Sequence, residues 1–216
     1  MSTKRVLAIH DLCAFGRCSL TAALPVISAM GFQVNPFPTA IFSNNLTYGD
    51  FTFTDFTPHM KEFMDKWQKL GLAYDAIYSG FLADAGQIGV VLDAISRFAG
   101  KDTLVVVDPA MADDGKLYPV FKPDMVTEMK KLITAATVVT PNYTEACLLT
   151  DRPYENKPAT TDELYRLQGK AHPLCHLRHR RSLYQRGDGL APFGKEPGGG
   201  SEESGFLPLL CHRIHL

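Results

Sequence analysis

Leu104-Val105-Val106-Val107-Asp108-Pro109 decides the fold. A continuous β-branched run without polar alternation is the pattern of a strand covered on both faces, and it stops abruptly at Asp108-Pro109. Strands of that kind belong to parallel sheets, whose crossovers are helices. The sequence on either side supplies them. Asp84 opens a helix with Ile88, Val91, Leu92, Ile95 and Phe98 inward and Gly100 as its stop. Downstream, a helix over Pro123–Ile133 leads to a strand over Thr137–Val139 that ends at Thr140-Pro141-Asn142.

The same alternation extends to the N-terminus. Val6 to Ile9 is a short strand ending in HDLCAFGRC, followed by a helix with Leu20, Ala23, Leu24, Ile27 and Met30 at helical spacing and Gly31 as a stop. Pro25 predicts a kink or a late start there. Ala40–Phe42 is a second strand, and Ser43–Asp50 (SNNLTYGD) is a polar loop. Thr57 as cap, Pro58 at the first helical position and Met60, Phe63, Met64, Trp67 and Leu70 on one face predict a helix ending at Gly71. Core packing accounts for that stripe. Ala76–Tyr78 is a strand running into Ser79-Gly80-Phe81. The fold class is therefore α/β, an open, mostly parallel sheet flanked by helices with right-handed crossovers.

Composition bounds the rest. The 216 residues carry 22 Lys plus Arg against 23 Asp plus Glu, a net charge of −1, and are 45% hydrophobic. That is enough apolar mass for one sizeable core, and the balanced charge argues against a nucleic acid or an anionic membrane as partner. No stretch approaches the roughly 20 apolar residues of a membrane span, and the N-terminal apolar run is too short for a signal peptide. The chain reads as soluble and cytoplasmic. Five widely spaced cysteines without a CxxC indicate neither a disulfide framework nor a zinc site.

Near residue 166 the composition changes. After Val139 there is no valine, and after Ile133 the only isoleucine is Ile214. The last stretch holds five of the seven histidines and the run GKEPGGGSEESG. The expected division is a core over 1–165 and a divergent, poorly ordered tail over 166–216. His172, His176 and His179 with Cys175 have metal-like spacing, but Pro173 opposes the helix that a site there needs. A shifted reading frame would also account for the tail's composition.

Ligands of such sheets bind beyond the carboxyl ends of the strands. The polar and aromatic residues there are His10, Asp11, Asn44, Asn45, Phe81, Asp108, Asp113, Asn142 and Glu145, which should converge on one cleft. The sequence holds no GxxxxGK[ST], GxGxxG or GxSxG, which removes most support for a P-loop NTPase, a dinucleotide site and a serine hydrolase. Asp108 at the end of a buried strand needs a cation or donors to ionise. Several carboxylates and an Asn around one cleft suit Mg²⁺ beside polyphosphate oxygens.

VLAIHDLCAFGRCSLTAALPVISAMG, FSNNLTYG, the SGF turn, VVDPAMADDGKLY and TPNYTEACLLT together resemble the pyridoxal kinase branch of the ribokinase superfamily, over about residues 4–165. Asn142-Tyr143-Thr144-Glu145 matches the superfamily's NxxE motif. The resemblance implies transfer of the ATP γ-phosphoryl group to the 5′-hydroxymethyl of pyridoxal, pyridoxamine or pyridoxine, with ATP and Mg²⁺ as cofactors and a homodimer as the assembly. It places Asp11, Ser43, Asn44, Thr47 and Phe81 on the vitamin B6 substrate, and Asp108, Asp113, Tyr118, Thr140, Asn142 and Glu145 on ATP, with Asp108 and Glu145 at the metal. Asp11 stands where the family commonly has Ser, and Phe81 where a tyrosine often stacks. With a gap omitted, Leu46 takes the place of Thr47.

The family's Gly-Thr-Gly-Asp loop, which supplies an anion site and the catalytic Asp, does not occur; Gly187-Asp188-Gly189 is only an echo. No catalytic residue is assigned. Loss of a general base costs about 10²- to 10⁴-fold in rate, so impaired turnover is expected. The alternatives are a hydroxymethylpyrimidine kinase of the same superfamily and a non-catalytic ligand-binding remnant. Asp108→Asn and Glu145→Gln are both expected to weaken Mg·ATP binding with the fold intact.

Overall fold

A computed structural model describes residues 3–155 of the chain. The expected boundary at 165 and the tail, with His172, Cys175, His176 and His179, lie outside the described residues.

The elements are β1 (Arg5–Cys13), α1 (Ser19–Ala29), β2 (Gln33–Phe42), β3 (Phe53–Asp55), α2 (Thr57–Lys69), β4 (Tyr74–Ser79), α3 (Gly86–Phe98), β5 (Ala99–Val107), β6 (Ala112–Asp113), β7 (Lys116–Leu117), α4 (Asp124–Ile133), β8 (Val138–Val139) and α5 (Tyr143–Leu149). Six strands form one sheet in the order β3-β2-β1-β4-β5-β8, and β6 and β7 form a separate hairpin. All pairings in the main sheet are parallel except β2 with β3. The open, mostly parallel α/β sheet expected from the sequence is thus observed.

Alternate residues of the central strands pack to opposite faces, as the period of two requires. Val6, Ala8, Ala76, Tyr78, Val106 and Val138 meet Leu20, Ala23 and Ile27 of α1 on one face. Leu7, Ile9, Ile77, Val105, Val107 and Val139 meet Met60, Met64, Ile88, Val91, Met125 and Met129 of α2, α3 and α4 on the other. Both faces of Val105–Val107 are covered, which is why that run carries no polar residue.

Several boundaries differ from expectation, each for a local reason. Strand β2 begins at Gln33, not Ala40, although it contains Pro36 and Pro38. Both prolines are registered against β1, and β3 reaches only Ala40–Phe42 on the other side, so the missing N–H groups face an open edge. Helix α1 runs through Pro25 without a break, with Pro25 on its exposed side. Gly100 does not end α3 in a turn: the chain passes directly into β5 at Ala99. The α2 stripe is narrower than predicted, since Met60 and Met64 are buried but Phe63 and Leu70 are exposed. Phe63 instead packs edge-on against Phe56 and Trp67.

Arg97 ties α3 to α2, its guanidinium bonding Asp93 at 2.9 Å and Asp65 at 2.6 Å, while Lys61 reaches Asp65 at 3.0 Å. Hydrogen bonds from Arg97 and then Lys61 hold the Asp65 carboxyl below its ordinary value. A lowered folded value means the brace contributes fully above the ordinary carboxylate range and is lost as pH falls from there through the lowered value. The melting-temperature gap between the native chain and Asp65→Asn, open at about pH 7, should therefore narrow progressively as pH drops below the ordinary carboxylate range. Among the described residues no helix is long and apolar enough to cross a membrane.

Candidate active site

In this strand order β1 is followed by β2 on one side and β4 on the other, so the chain reverses direction across the sheet at β1 and leaves a crevice at the strand ends. Three ladder bonds extend beyond the regular strands: Gly80 N–H to Ile9 O at 2.9 Å, Asp108 N–H to Ser79 O at 2.7 Å and Thr140 N–H to Val107 O at 3.0 Å. They set Gly80, Asp108 and Thr140 side by side along one edge.

The β1–β4 part of this edge is an apolar cluster with one buried polar pair. His10 and Asp11 lie within β1, not in the loop beyond it, because pairing with β2 continues to Cys13 across a bulge at Asp11. His10 Nδ1 sits 2.7 Å from Asp11 Oδ1, and both residues are buried. The Asp11 backbone N–H also donates to Nδ1 at 2.9 Å, and Nε2 faces the Phe81 N–H at 3.5 Å, so Asp11 holds the ring through both its backbone and its side chain. The ring fills the space over Gly80, where any Cβ would collide with its Cδ2 and Nε2 atoms. Gly80→Ala must displace an imidazole pinned by Asp11, so we expect a loss of about 1–3 kcal/mol in urea unfolding.

Phe81 is buried among Ala40, Phe42, Ala83, Ala110, Tyr118 and Phe121. Its ring centroid lies 5.3 Å from that of Phe121 and 5.8 Å from that of Phe42, and Thr39 Oγ1 donates to its carbonyl at 2.9 Å. Tyr118 joins this wall through Phe121 at 6.2 Å. Ser43, Asn44 and Thr47 stand further out. Ser43 and Thr47 are exposed, and Ser43 adjoins the wall through its neighbour Phe42. Asn45 organises this loop, its Oδ1 accepting from both N–H and Oγ1 of Thr47 at 2.9 Å.

The β5–β8 part of the edge is polar. Asp108 is 2% exposed, Thr140 2% and Glu145 0%. Asn142 and Glu145 form a reciprocal capping box on α5: Glu145 N–H donates to Asn142 Oδ1 at 2.9 Å, and Asn142 N–H donates to Glu145 Oε2 at 2.7 Å. The other carboxylate oxygen, Oε1, accepts the Met111 N–H at 3.2 Å, and Asn142 Nδ2 donates to Ala112 O at 2.7 Å. Glu145 therefore fastens the strand-end loop 108–112 to the start of α5. Asp113 lies on the following hairpin, where Asp114 and Gly115 take positive φ and Gly115 N–H donates to Thr144 Oγ1 at 3.0 Å.

Metal chemistry fits this donor set in part. The Thr140 and Ser79 hydroxyls are buried without a hydrogen-bond partner among the described residues, and the backbone ladder sets Asp108 between these two residues. Hard oxygen donors of this kind suit Mg²⁺, which keeps several waters and takes few protein ligands. Among the described residues no three His, Cys, Asp or Glu side chains form a complete metal cage.

Sequence reasoning missed Gln87, which is fully buried on α3. Its Oε1 accepts from Ala83 N–H at 2.7 Å, and its Nε2 donates to Thr39 O at 2.8 Å and Thr57 Oγ1 at 2.7 Å. It holds the loop after Phe81 against β2 and α2. A polar residue at an inward position beside Ile88 was the available signal. Phe42 and Phe121 were also missed as members of the aromatic cluster around Phe81.

Several known proteins are similar to this chain in sequence and fold. A pyridoxal kinase of Deinococcus radiodurans is 29% identical over 176 residues, 79% of this chain and 59% of that protein. The pyridoxal kinase of Arabidopsis thaliana is 28% identical over 68% of this chain and 49% of its own length. The chain thus spans about half the length of the curated relatives it matches. Among solved structures, a Bacteroides thetaiotaomicron protein assigned as a phosphomethylpyrimidine kinase and crystallised with pyridoxal superposes with a TM-score of 0.74 at 45% identity, covering 78% of this chain and 58% of that one. Pyridoxal kinase from Lactobacillus plantarum gives 0.72 at 31%, covering 81% and 61%. The phosphomethylpyrimidine kinase family model matches residues 19–174, well over half of the sequence and including the Asp108, Thr140 and Asn142–Glu145 edge, and the chain belongs to that family.

Proposed function

We propose that the crevice holds Mg·ATP along its β5–β8 part and a pyridoxal-like alcohol along its β1–β4 part, for transfer of the γ-phosphoryl group to the 5′-hydroxymethyl. The carrying observation is the adjacency of Gly80, Asp108 and Thr140, which puts an aromatic cluster next to an oxygen-rich anionic edge. Pyridoxal in the 45% identical Bacteroides structure supports that acceptor. In this reading Phe81, with Phe121 and Phe42 behind it, stacks on the acceptor ring, and Asp11, braced by His10, together with Ser43, Asn44 and Thr47, meets its polar substituents. Asp113, Tyr118 and Asn142 border the nucleotide.

Bound Mg²⁺ neutralises phosphate oxygen charge. In this reading Asp108 and Thr140 would hold it. Glu145, expected from the sequence as a second ligand, acts by positioning the loop that carries Asp108. Positioning and charge neutralisation supply most of the catalysis in phosphoryl transfer. A homodimer belongs to the same reading.

The family match favours one rival acceptor, a hydroxymethylpyrimidine. Calorimetric titration of the full chain with each acceptor in the presence of Mg·ATP, beside a turnover assay, separates the cases. Tighter binding of pyridoxal is expected, whereas tighter binding of the pyrimidine selects the rival. Binding without turnover selects a ligand-binding remnant, and binding of neither ends both kinase readings.

A further inference from the structure

The loop between β1 and α1 reads Cys13-Ala14-Phe15-Gly16-Arg17-Cys18, and its two ends come back together. Gly16 turns the chain at φ +139°, a conformation that side-chain-bearing residues rarely adopt. A methyl group placed on Gly16 would lie 3.5 Å from Cys13 Sγ and 3.6 Å from Cys18 Sγ, so both sulfurs border one small volume. Cys13 is buried and Cys18 half-buried, both as free thiols. The Cys13 thiol donates to Phe15 O at 3.3 Å, while Asn45 Nδ2 donates to Cys18 Sγ at 3.2 Å. Neither sulfur has a part in the proposed phosphoryl transfer.

We propose that Cys13 and Cys18 are a reversible dithiol–disulfide pair whose state controls the acceptor side of the crevice. The control rests on the functional reading above; the pair itself does not. The oxidant is a low-molecular-weight disulfide such as oxidised glutathione. Cys18, the more accessible thiol, loses its proton and attacks one glutathione sulfur, releasing one glutathione thiolate and leaving a mixed disulfide. Cys13 then loses its proton and attacks Cys18 Sγ, expelling the second glutathione. Two cysteine thiols are oxidised, one glutathione disulfide is reduced to two thiols, and the protons pass to the departing thiolates. Burial, followed by the neighbouring Cys18 sulfur, pushes the Cys13 thiol up to about 12, which agrees with Cys18 reacting first.

Closing the bond draws Cys18 Sγ away from Asn45 Nδ2 and removes the Cys13 bond to Phe15 O. Asn45 is the residue that holds Thr47 through its Oδ1, and its own N–H donates to Phe15 O at 2.9 Å. Oxidation thus acts on the loop carrying Ser43, Asn44 and Thr47. The nucleotide edge at Asp108 shares none of these bonds.

The test equilibrates the full chain in glutathione buffers from reduced to oxidised, alkylates free thiols, and digests with trypsin without reductant. Trypsin cuts after Arg5, Arg17 and Lys61, so Cys13 and Cys18 fall on separate peptides, 6–17 and 18–61, which only their own disulfide joins. We expect the joined peptides to accumulate in oxidised buffer, to separate on reduction, to vanish in Cys18→Ser and to persist in Cys147→Ser. Separate glutathionylated peptides alone, or bonds to Cys147, Cys175 or Cys211 instead, overturn the pair. In a second arm, pyridoxal should bind the oxidised chain about five- to tenfold more weakly than the reduced chain, the equivalent of losing about one hydrogen bond, with Mg·ATP affinity unchanged. Equal pyridoxal affinity in joined and reduced protein overturns the control. Failure of reduced protein to bind pyridoxal at all refutes the functional reading instead, while the peptide arm still decides the pair.

Discussion

Replacing Glu145 with glutamine should lower the free energy of unfolding by about 2–3 kcal/mol, one of the largest losses from a single isosteric change in this chain. Both carboxylate oxygens accept backbone N–H groups, from Met111 at 3.2 Å and Asn142 at 2.7 Å, in a fully buried site. An amide keeps one acceptor and turns an NH₂ toward the other donor. One buried N–H then loses its partner, and a charge-assisted bond becomes a repulsive contact. Glu145→Ala removes both acceptors and should cost more. This revises the sequence-based expectation of an intact fold with weakened nucleotide binding, because Asn142-x-x-Glu145 is also a helix-capping pattern and the structure shows both of its hydrogen bonds. Urea unfolding of the two variants, followed by circular dichroism, measures the effect; a midpoint unchanged in both would exclude the capping role.

Asp108→Asn should give the opposite signature, a binding defect with little change in stability. The Asp108 backbone keeps its ladder bond to Ser79 O, and the substitution preserves shape in a residue 2% exposed. A neutral amide also escapes the desolvation cost that a buried carboxylate carries. In the proposed role, by contrast, the charge is what attracts the metal-bound triphosphate. Its loss should weaken Mg·ATP about 10- to 100-fold, or roughly 1.4–2.7 kcal/mol, and leave pyridoxal affinity close to native. Calorimetric titration of the variant with each ligand checks the split, and nucleotide affinity within about twofold of native would remove Asp108 from the site.

The sheet was legible where sequence periodicity and burial say the same thing. Val105, Val106 and Val107 carry the signal of a strand covered on both faces, and the residues following it, Asp108, Thr140 and Asn142, are found at the strand ends as expected. Where two signals conflict, reading stopped short. Pro36 and Pro38 argue against a strand by composition, yet β2 passes through them because only one of its sides is paired along that stretch. His10 and Asp11 look like loop residues after Ile9, but pairing with β2 alone carries β1 past them to Cys13, and across the bulge at Asp11 the two side chains stay within bonding distance. Strands as short as Phe53–Asp55 and the Ala112–Leu117 hairpin are set by tertiary pairing and leave no periodic trace.

The site was legible as a set of residues and less so as a set of roles. Glu145 bears a charge, and a charge near a phosphate-like cleft invites a ligand role; its two backbone bonds exist only once loop 108–112 has folded against α5. Gln87 joins three segments far apart in sequence, and no local pattern announces that. The aromatic wall around Phe81 likewise draws on Phe42 and Phe121 from different crossovers.

In the proposed function two adjoining subsites share one crevice, one for a metal-bound triphosphate and one for a vitamin-like alcohol. Titration of Mg·ATP into the full chain already saturated with pyridoxal tests it most directly. One equivalent of nucleotide is expected to bind with pyridoxal still in place, and Asp108→Asn is expected to weaken only the nucleotide step. Displacement of pyridoxal by Mg·ATP, or no heat from either ligand, would contradict it.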